Sequence, residues 1–180
     1  KRSKFFTGEL KQYLLMAREQ NLPVTQLKGS YAGAMGYGQF IPSSYRAYAV
    51  DFDGDGVVDI LNNPIDAIGS VANYFARHGW KTDGPVTSAL TVAKDSPTDW
   101  MNDGLKPKRT AAEFAARGIV PQGDFDAETK ATAMHFEGAA GPEYWMGWHN
   151  FYVITRYNHS AMYAMSVYQL SQEIDGQRQQ

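Results

Sequence analysis

The sequence contains no cysteine, and this absence removes several kinds of chemistry at once. Disulfides, thiolate nucleophiles and thiolate-bound metal sites all need that residue. Histidine is scarce as well, and none of its positions gives a zinc spacing such as HExxH. Thiol chemistry and a zinc site of that kind are therefore excluded.

An excess of charge of one sign is also lacking. The 17 basic and 19 acidic residues leave a net charge of -2. Such a balance gives no general attraction to nucleic acid or to an anionic membrane. We therefore expect no nucleic-acid partner.

Long apolar runs are absent too. No stretch approaches the roughly 18 residues of a membrane-spanning helix, and the N-terminus has neither an initiator methionine nor the apolar region of a signal peptide. We expect the natural chain to begin upstream, so any membrane attachment would come through a lipid anchor there.

Aromatic residues, by contrast, are abundant, with four Trp, eleven Tyr and nine Phe. Rings at this density usually build a core. Flat rings also line carbohydrate grooves, where they meet the C–H faces of sugars. Composition alone leaves both interpretations open.

Hydrophobic periodicity predicts a mainly α, α+β chain. Helices are expected at about 7–20, capped by Thr7, and at 66–78, with further helix near the C-terminus. Between them, a strand at about 86–92 and a short helix at 111–117 indicate a segment that mixes strand and helix. We therefore divide the chain into a helical core (1–83), a small inserted α/β lobe (84–145) and a return to core helices (146–180).

Residues 51–66 carry a spaced set of carboxylates. Counting from Asp51, aspartates occupy positions 1, 3 and 5 (Asp51, Asp53 and Asp55), glycine occupies position 6, and position 7 offers the carbonyl of Val57. An EF-hand takes calcium ligands from these positions and uses the glycine for its sharp turn. The spacing predicts a Ca²⁺ site, with Na⁺ as the alternative ion.

The end of this loop departs from the EF-hand pattern. Position 12 is Asn62, whose amide cannot act as a bidentate carboxylate. We expect Asp66 to close the site, with Asp59 as a further direct or water-mediated ligand. Because regulatory EF-hands act through an opening helix pair, a single loop favours a structural ion. The alternative is a solvated Asp/Gly turn without an ion.

A glycine-rich segment precedes this loop. Its glycine spacing fits neither a phosphate loop nor a dinucleotide-binding fingerprint. We interpret it as irregular backbone beside a groove, with Ser30, Tyr31, Tyr37 and Gln39 available to a polar ligand.

Three long motifs, in this order, carry a resemblance to a known family. They are "GSYAGAMGYGQFIPSSY", the acidic loop running into "PIDAIGSVANYF", and "NFYVITRYNHSAMYAMSVYQL". The chain resembles the membrane-bound lytic transglycosylase B family of peptidoglycan-cleaving enzymes, glycoside hydrolase family 103. The resemblance implies a lysozyme-like helical core with an EF-hand-like calcium loop and the small inserted lobe.

The resemblance also implies a reaction. The β-1,4 bond between N-acetylmuramic acid and N-acetylglucosamine is cleaved, and the C6 hydroxyl of the muramic acid displaces the leaving group, giving a 1,6-anhydro end. One glutamic acid would protonate the glycosidic oxygen and later accept the C6 hydroxyl proton. In the family this glutamate lies in a helix before "FFTGELKQYLL", so we expect it upstream of residue 1.

The remaining site residues follow from the motifs. The resemblance implies saccharide contacts from three segments: Ser30, Met35, Gln39 and Phe40; Tyr74; and Tyr157, Asn158 and Tyr163. For Tyr74, packing beside Phe75 is the alternative.

Three functions stay open at this point. The chain is a lytic transglycosylase core lacking its acid, a non-catalytic peptidoglycan- or oligosaccharide-binding module, or a calcium-responsive interaction protein. For the first we expect peptidoglycan glycan strands as the partner, a monomer, and a bacterial periplasmic location with attachment to the outer membrane through any lipid anchor.

Overall fold

The computed structural model describes residues 2–178. The chain forms two compact units that divide between Arg77 and His78. Helices make up the first unit, and the second combines a sheet with further helices. A mainly α, α+β chain was predicted, and the mixture of helices and strands is confirmed, whereas the division at 83/84 and 145/146 stays a prediction.

Three helices build the first unit: α1 (Arg2–Glu19), α2 (Pro42–Tyr48) and α3 (Pro64–Arg77). Both α2 and α3 begin with proline, whose fixed φ suits a first helical turn and whose missing N–H would have no partner there. The fully buried side chains Met16 and Ile60 lie in the core of this unit.

The predicted start of α1 at Thr7 is wrong. The helix begins at Arg2, since residues 2–7 contain no proline or glycine that would stop it. Only part of this helix is buried, because Leu10 and Leu14 are exposed while Met16 and Ala17 are buried.

The second unit contains a five-stranded antiparallel sheet. Its strands are β1 (Thr87–Val92), β2 (Arg109–Thr110), β3 (Ile119–Pro121), β4 (Lys130–Gly138) and β5 (Gly141–Gly147), with the short helix α4 (Ala111–Ala115) between β2 and β3. They lie in the order β2-β4-β5-β1-β3.

The strand predicted at 86–92 and the helix predicted at 111–117 both lie close to the observed elements. The hairpin of β4 and β5 was missed. Its two strands are joined through Ala139 and Ala140, with Gly138 paired to Gly141. An Ala-Ala connection lacks the Asn-Gly or Asp-Gly signal by which tight hairpins are recognised in a sequence.

Two helices end the second unit: α5 (His149–Tyr157) and α6 (Ala161–Arg178). Phe114, Ile119, Met146 and Trp148 fill the core beside the sheet. The ring of Phe125 stacks on Trp148 with 4.4 Å between ring centroids.

Candidate functional site

The acidic loop joins α2 to α3, and its carboxylates organise their own backbone. Asp51 accepts hydrogen bonds from the N–H groups of Gly54 at 2.7 Å and Gly56 at 2.8 Å. Asp53 accepts one from the side-chain amide of Asn63 at 2.9 Å. These bonds close the loop on itself, as a short Asp/Gly-rich segment favours.

Asp66 is the buried member of the set. Its side chain has no exposed surface, and its two oxygens accept hydrogen bonds from the N–H groups of Phe52 and Asp59, each at 2.8 Å. The bond from Asp59, followed by that from Phe52, lowers the pKa of the Asp66 carboxyl from its ordinary value. Asp66 therefore fastens the acidic loop at two points, Phe52 and Asp59, to the start of α3.

Three of the predicted ligands come together. One carboxylate oxygen each from Asp51, Asp53 and Asp66 lie within 4.8 Å of one another. Oxygens bound to one calcium ion, at about 2.3–2.6 Å each, can be separated by at most about twice that length. The donor set of the described residues therefore fits a hard cation.

The other predicted ligands lie differently. Asp55 accepts a hydrogen bond from the N–H of Val57 at 2.8 Å, and both residues are exposed. Asp59 accepts from the N–H groups of Leu61 and Asn62 at 3.0 and 2.9 Å, so its carboxylate stabilises the turn that precedes α3.

The acidic loop is in direct contact with the glycine-rich segment through Ile60. The carbonyl of Ile60 accepts a hydrogen bond from Tyr37 N at 3.2 Å, and the Ile60 side chain is fully buried. Gly36 packs so closely that a Cβ atom there would lie 2.3 Å from the same carbonyl oxygen.

Tyr45 on α2 also contacts the acidic loop, since its hydroxyl donates to the carbonyl of Val58 at 2.6 Å. Burial, then the charges of two nearby aspartates, raises the pKa of Tyr45 to about 12.

The glycine-rich segment forms a compact loop. Met35 and Phe40 pair through reciprocal backbone hydrogen bonds at 2.9 and 3.1 Å. Gln39 sits at the end of this loop with φ of 50°, and its side-chain amide donates to the carbonyl of Gly36 at 2.9 Å. Ser30 stabilises the other end, because its hydroxyl accepts from the N–H of Ala34 at 3.1 Å. The irregular backbone expected here is what the structure has.

An open pocket of about 280 Å³ lies between this loop and α1. Ser30 and Met35, two of the predicted saccharide contacts, line it together with Glu9 and Tyr13. Gln39 is exposed, whereas Phe40 is only 3% exposed, so its ring lies in the core.

Tyr74 on α3 is largely buried. Only 9% of its surface is accessible, and its ring contacts those of Phe40, Tyr48 and Phe75 with centroid distances of 6.0, 4.8 and 6.2 Å. Most of the ring therefore serves packing, the alternative interpretation. Its contact with a saccharide stays a prediction.

The last three candidates belong to the second unit. Tyr157 ends α5, Asn158 follows in the connection to α6, and Tyr163 lies in the first turn of α6 with 37% of its surface exposed. The carbonyl of Asn158 accepts from the N–H of Ser160 at 2.7 Å, which tightens the connection. One short segment thus presents all three residues.

Glu9 on α1 makes a long-range contact that the sequence does not predict. Its carboxylate accepts a hydrogen bond from the N–H of Ser43 at 3.0 Å, at the start of α2. Nothing in the sequence pattern links residues so far apart along the chain.

No buried carboxylic acid of the kind the reaction needs is found among the glutamates of residues 2–178. Glu9 is half-buried and the others are exposed: Glu19, Glu113, Glu128, Glu137, Glu143 and Glu173. Several have structural partners, such as Glu19 with Arg46 at 2.7 Å.

Among residues 2–178, no helix combines the length and apolarity that crossing a membrane requires.

Solved structures of lytic transglycosylases share this fold. The catenated lytic transglycosylase SltB1 of Pseudomonas aeruginosa matches with a TM-score of 0.94 and 53% identity, over 98% of this chain and 58% of that one. The Escherichia coli lytic transglycosylase Slt35, solved in complex with calcium, matches with a TM-score of 0.89 and 46% identity, over 99% and 56%. The helices and the antiparallel sheet of this chain therefore have the fold of lytic transglycosylases.

The sequence comparison agrees with the fold. The chain is 47% identical over 174 residues to the membrane-bound lytic murein transglycosylase B of Escherichia coli (strain K12), which covers 97% of this chain and 47% of the relative. The family described as Transglycosylase SLT domain matches residues 1–172. The chain belongs to this Transglycosylase SLT domain family, and the resemblance predicted from its motifs is confirmed. It spans about half the length of the relative it matches.

Proposed function

We propose that the protein is a lytic transglycosylase of peptidoglycan, which cleaves the MurNAc–GlcNAc β-1,4 bond and leaves a 1,6-anhydromuramyl end. The observation that carries the proposal is the family match over residues 1–172. The glycine-rich loop, whose Ser30 and Met35 line an open pocket, supports it.

The chemistry assigns a definite task to the residues of this chain. Cleavage breaks the bond from C1 to the leaving oxygen and forms a bond from C1 to O6 of the same sugar. A glutamic acid gives its proton to the leaving oxygen and takes the proton of the C6 hydroxyl. We assign none of the glutamates among residues 2–178 to this role. We assign contacts with the sugar to Ser30 and Gln39 of the first unit and, separately, to Tyr157 and Asn158 of the second. Contacts of this kind orient a sugar so that O6 reaches C1, and this orientation lowers the barrier.

The test of this function is chemical. The protein is produced from its whole reading frame and incubated with purified peptidoglycan sacculi. Mass spectrometry should find muropeptides one water molecule lighter than hydrolysis products.

Gln39→Ala and Tyr157→Phe should each lower kcat/KM on the order of tenfold, the effect of one lost hydrogen bond to the substrate. Lys94→Ala, at an exposed turn residue, is the matched control. Hydrated ends, or no products, would contradict the proposal.

A non-catalytic peptidoglycan-binding module is the second candidate. It is favoured by the exposure of the glutamates within residues 2–178. This module would bind sacculi in a pull-down while releasing no soluble muropeptide, even when produced from the whole reading frame.

We further propose that the acidic loop is an EF-hand-like site for a structural Ca²⁺ ion, in a lysozyme-like core that carries the small lobe 84–145. Asp51, Asp53 and Asp66 would bind the ion, joined by Asp55 and the carbonyl of Val57. When bound, the ion neutralises the clustered carboxylates. The calcium complex of the relative Slt35 supports this assignment.

Removal of the ion tests the assignment. Adding Ca²⁺ at about 100 times its dissociation constant should stabilise the fold by about 2.7 kcal/mol, seen as a rise in Tm over the chelated protein. Asp55→Ala should reduce this rise, and Asp175→Ala, exposed on α6, should leave it intact. If Asp55→Ala melts like the parent in saturating Ca²⁺, Asp55 is not a ligand.

A titration with Na⁺ shows which of the two ions stabilises the fold. If adding Ca²⁺ changed the affinity for a partner, that result would favour the third hypothesis, a calcium-responsive interaction protein.

The proposed substrate places the protein in the bacterial periplasm, where peptidoglycan lies. The name of the membrane-bound relative is consistent with this location. A monomeric state, and attachment to the outer membrane through an upstream lipid anchor, stay predictions.

A further inference from the structure

A groove of mixed charge lies in the second unit, outside every residue assigned above. It consists of two adjoining pockets of about 510 and 420 Å³ that share Lys81, Asp126, Thr129 and His149. We call it the mixed-charge groove. Pockets of this size are typical of sites for small ligands or short peptides.

The wall at one end of the groove is held rigidly. Asn150 is 1% exposed, and its amide nitrogen donates to the carbonyls of Lys81 and Gly84, both at 2.8 Å. Its oxygen accepts from the N–H of Lys81 at 2.9 Å. Nε2 of His149 lies 2.7 Å from the carbonyl of Gly79 and donates to it, since a carbonyl oxygen can only accept. The groove is therefore a preformed feature, which reduces the ordering that a ligand would require.

An aromatic floor adds an apolar surface to this charged groove. Trp148 is 1% exposed and stacks with Phe125, and both residues line the larger pocket. The Trp148 ring nitrogen donates to the hydroxyl of Ser88 at 2.9 Å, which fixes the ring. Because Trp148 is almost fully buried, the ring surface that a ligand in the larger pocket meets is that of the half-buried Phe125, with charges at the rim.

The charges at the rim are of both signs and are not paired with each other. Lys81, Lys106 and Lys130 line the groove beside Asp126 and Glu128, and all five are exposed. Within residues 2–178 no ion pair involves any of these five. The side chain of Asp126 accepts the N–H of Glu128 at 2.9 Å, a turn contact that leaves its second oxygen available.

This pattern discriminates among the chemical parts of peptidoglycan. A polyanion would be repelled by the carboxylates, and a neutral sugar chain would leave the lysines without a partner. The peptide stems of peptidoglycan carry free carboxylates together with a free amine, and an extended peptide of four residues spans about 13–14 Å. Lysines can meet its carboxylates while Asp126 and Glu128 meet its amine.

We propose that the mixed-charge groove binds the peptide stem of peptidoglycan. The proposal rests on the proposed function for its ligand class, and it adds a second contact with the substrate beside the saccharide contacts. It predicts that the protein distinguishes peptide-substituted strands from bare glycan.

The first experiment measures binding without catalysis. The ¹⁵N-labelled 180-residue chain is titrated with a synthetic stem tetrapeptide, L-Ala-γ-D-Glu-meso-diaminopimelate-D-Ala, and the amide shifts are followed by NMR. We expect shifts at Lys81, Thr129 and His149. The double variant K81A/K130A should raise Kd about five- to tenfold, the effect of two exposed charge contacts. Lys94→Ala, outside the groove, should leave Kd unchanged.

The outcomes are distinct. A peptide with its amine and carboxylates blocked should bind more weakly than the free peptide. Shifts confined to other residues, or an equal loss in Lys94→Ala, would overturn the proposal. Shifts in the groove caused by a GlcNAc oligomer and not by the peptide would make it a saccharide subsite and also overturn it. Circular dichroism checks that the variants at these exposed positions stay folded.

A second experiment separates this proposal from the proposed function. The protein produced from its whole reading frame is assayed on intact sacculi and on strands stripped of peptide by an amidase. Anhydro products from both substrates establish the function. The preference for intact sacculi, expressed as a ratio of kcat/KM values, should fall about five- to tenfold in K81A/K130A. An unchanged ratio with anhydro products present would refute the groove assignment while the function stands.

Discussion

Replacing Gly36 by alanine tests whether the glycine-rich loop depends on its contact with the acidic loop. Gly36 has φ of +67°, and a Cβ atom there would lie 2.3 Å from the carbonyl oxygen of Ile60. A residue other than glycine costs about 1 kcal/mol or more in this backbone region. Ile60 is fully buried, so relieving the contact must shift packed backbone, at about 1–3 kcal/mol.

The expected loss for Gly36→Ala is therefore about 3 kcal/mol. For a chain of this size, each kcal/mol corresponds to about 2–4 °C, so Tm should fall by about 6–12 °C. The saccharide contacts proposed for Ser30 and Gln39 lie on the same loop, so affinity for a GlcNAc oligomer should fall as well. Differential scanning calorimetry measures the first effect and isothermal titration calorimetry the second.

Two glycines provide matched controls. Gly33 lies in the same loop with φ of +82°, and its added Cβ would approach no atom closer than 3.9 Å, so Gly33→Ala should show only the backbone cost of about 1 kcal/mol. Gly8 lies in α1 with nothing within 4 Å, so Gly8→Ala should raise stability by up to about 1 kcal/mol. If Gly36→Ala melts like Gly33→Ala, the contact with Ile60 contributes nothing and the reasoning fails.

Two further predictions concern the second unit. The pKa of the Asp99 carboxyl lies below its ordinary value of 3.8, chiefly because of its hydrogen bond from Arg117. The stabilisation from the ionised Asp99 carboxyl is present above pH 3.8 and is lost as the pH falls through the lower pKa of the folded state. Between about pH 5 and pH 2, the Tm of Asp99→Asn should thus fall less than the Tm of the parent protein. An equal fall in both proteins would disprove the role of the ion pair. Asn150→Ala removes three hydrogen bonds to Lys81 and Gly84 and should cost about 2–4 kcal/mol in chemical unfolding, whereas a cost below about 1 kcal/mol would show that the segment is held by other contacts.

Much of the carboxylate cluster proposed as a metal site was predictable because its residues are close together in the chain. Asp51 and Asp53 lie two residues apart in a loop too short to separate them, so spacing alone brings their carboxylates together. Asp66 was also predicted, since Asn62 cannot provide the closing carboxylate. The sequence could not predict that Asp66 would be fully buried between the N–H groups of Phe52 and Asp59, because burial depends on what packs over the helix.

The glycine-rich segment was predictable as irregular backbone, but the roles of its side chains were not. Met35 and Phe40 were both expected in the groove, yet both are 3% exposed and only Met35 lines the pocket. Tyr74 shows the same difficulty, since a tyrosine on a helix face can serve packing or recognition with the same periodicity. Saccharide contacts of these residues, and those of Tyr157, Asn158 and Tyr163, stay predictions.

The sequence by itself determined what depends on short separations along the chain: the helical periodicity, the Asp/Gly spacing of the loop and the motifs that define the family. Tertiary structure alone decided what depends on distant segments meeting. Glu9 reaches the backbone of Ser43, and Lys81 is fixed by Asn150 beside the mixed-charge groove. Such contacts form because the core excludes water from many segments together, and no local pattern encodes which segments those are.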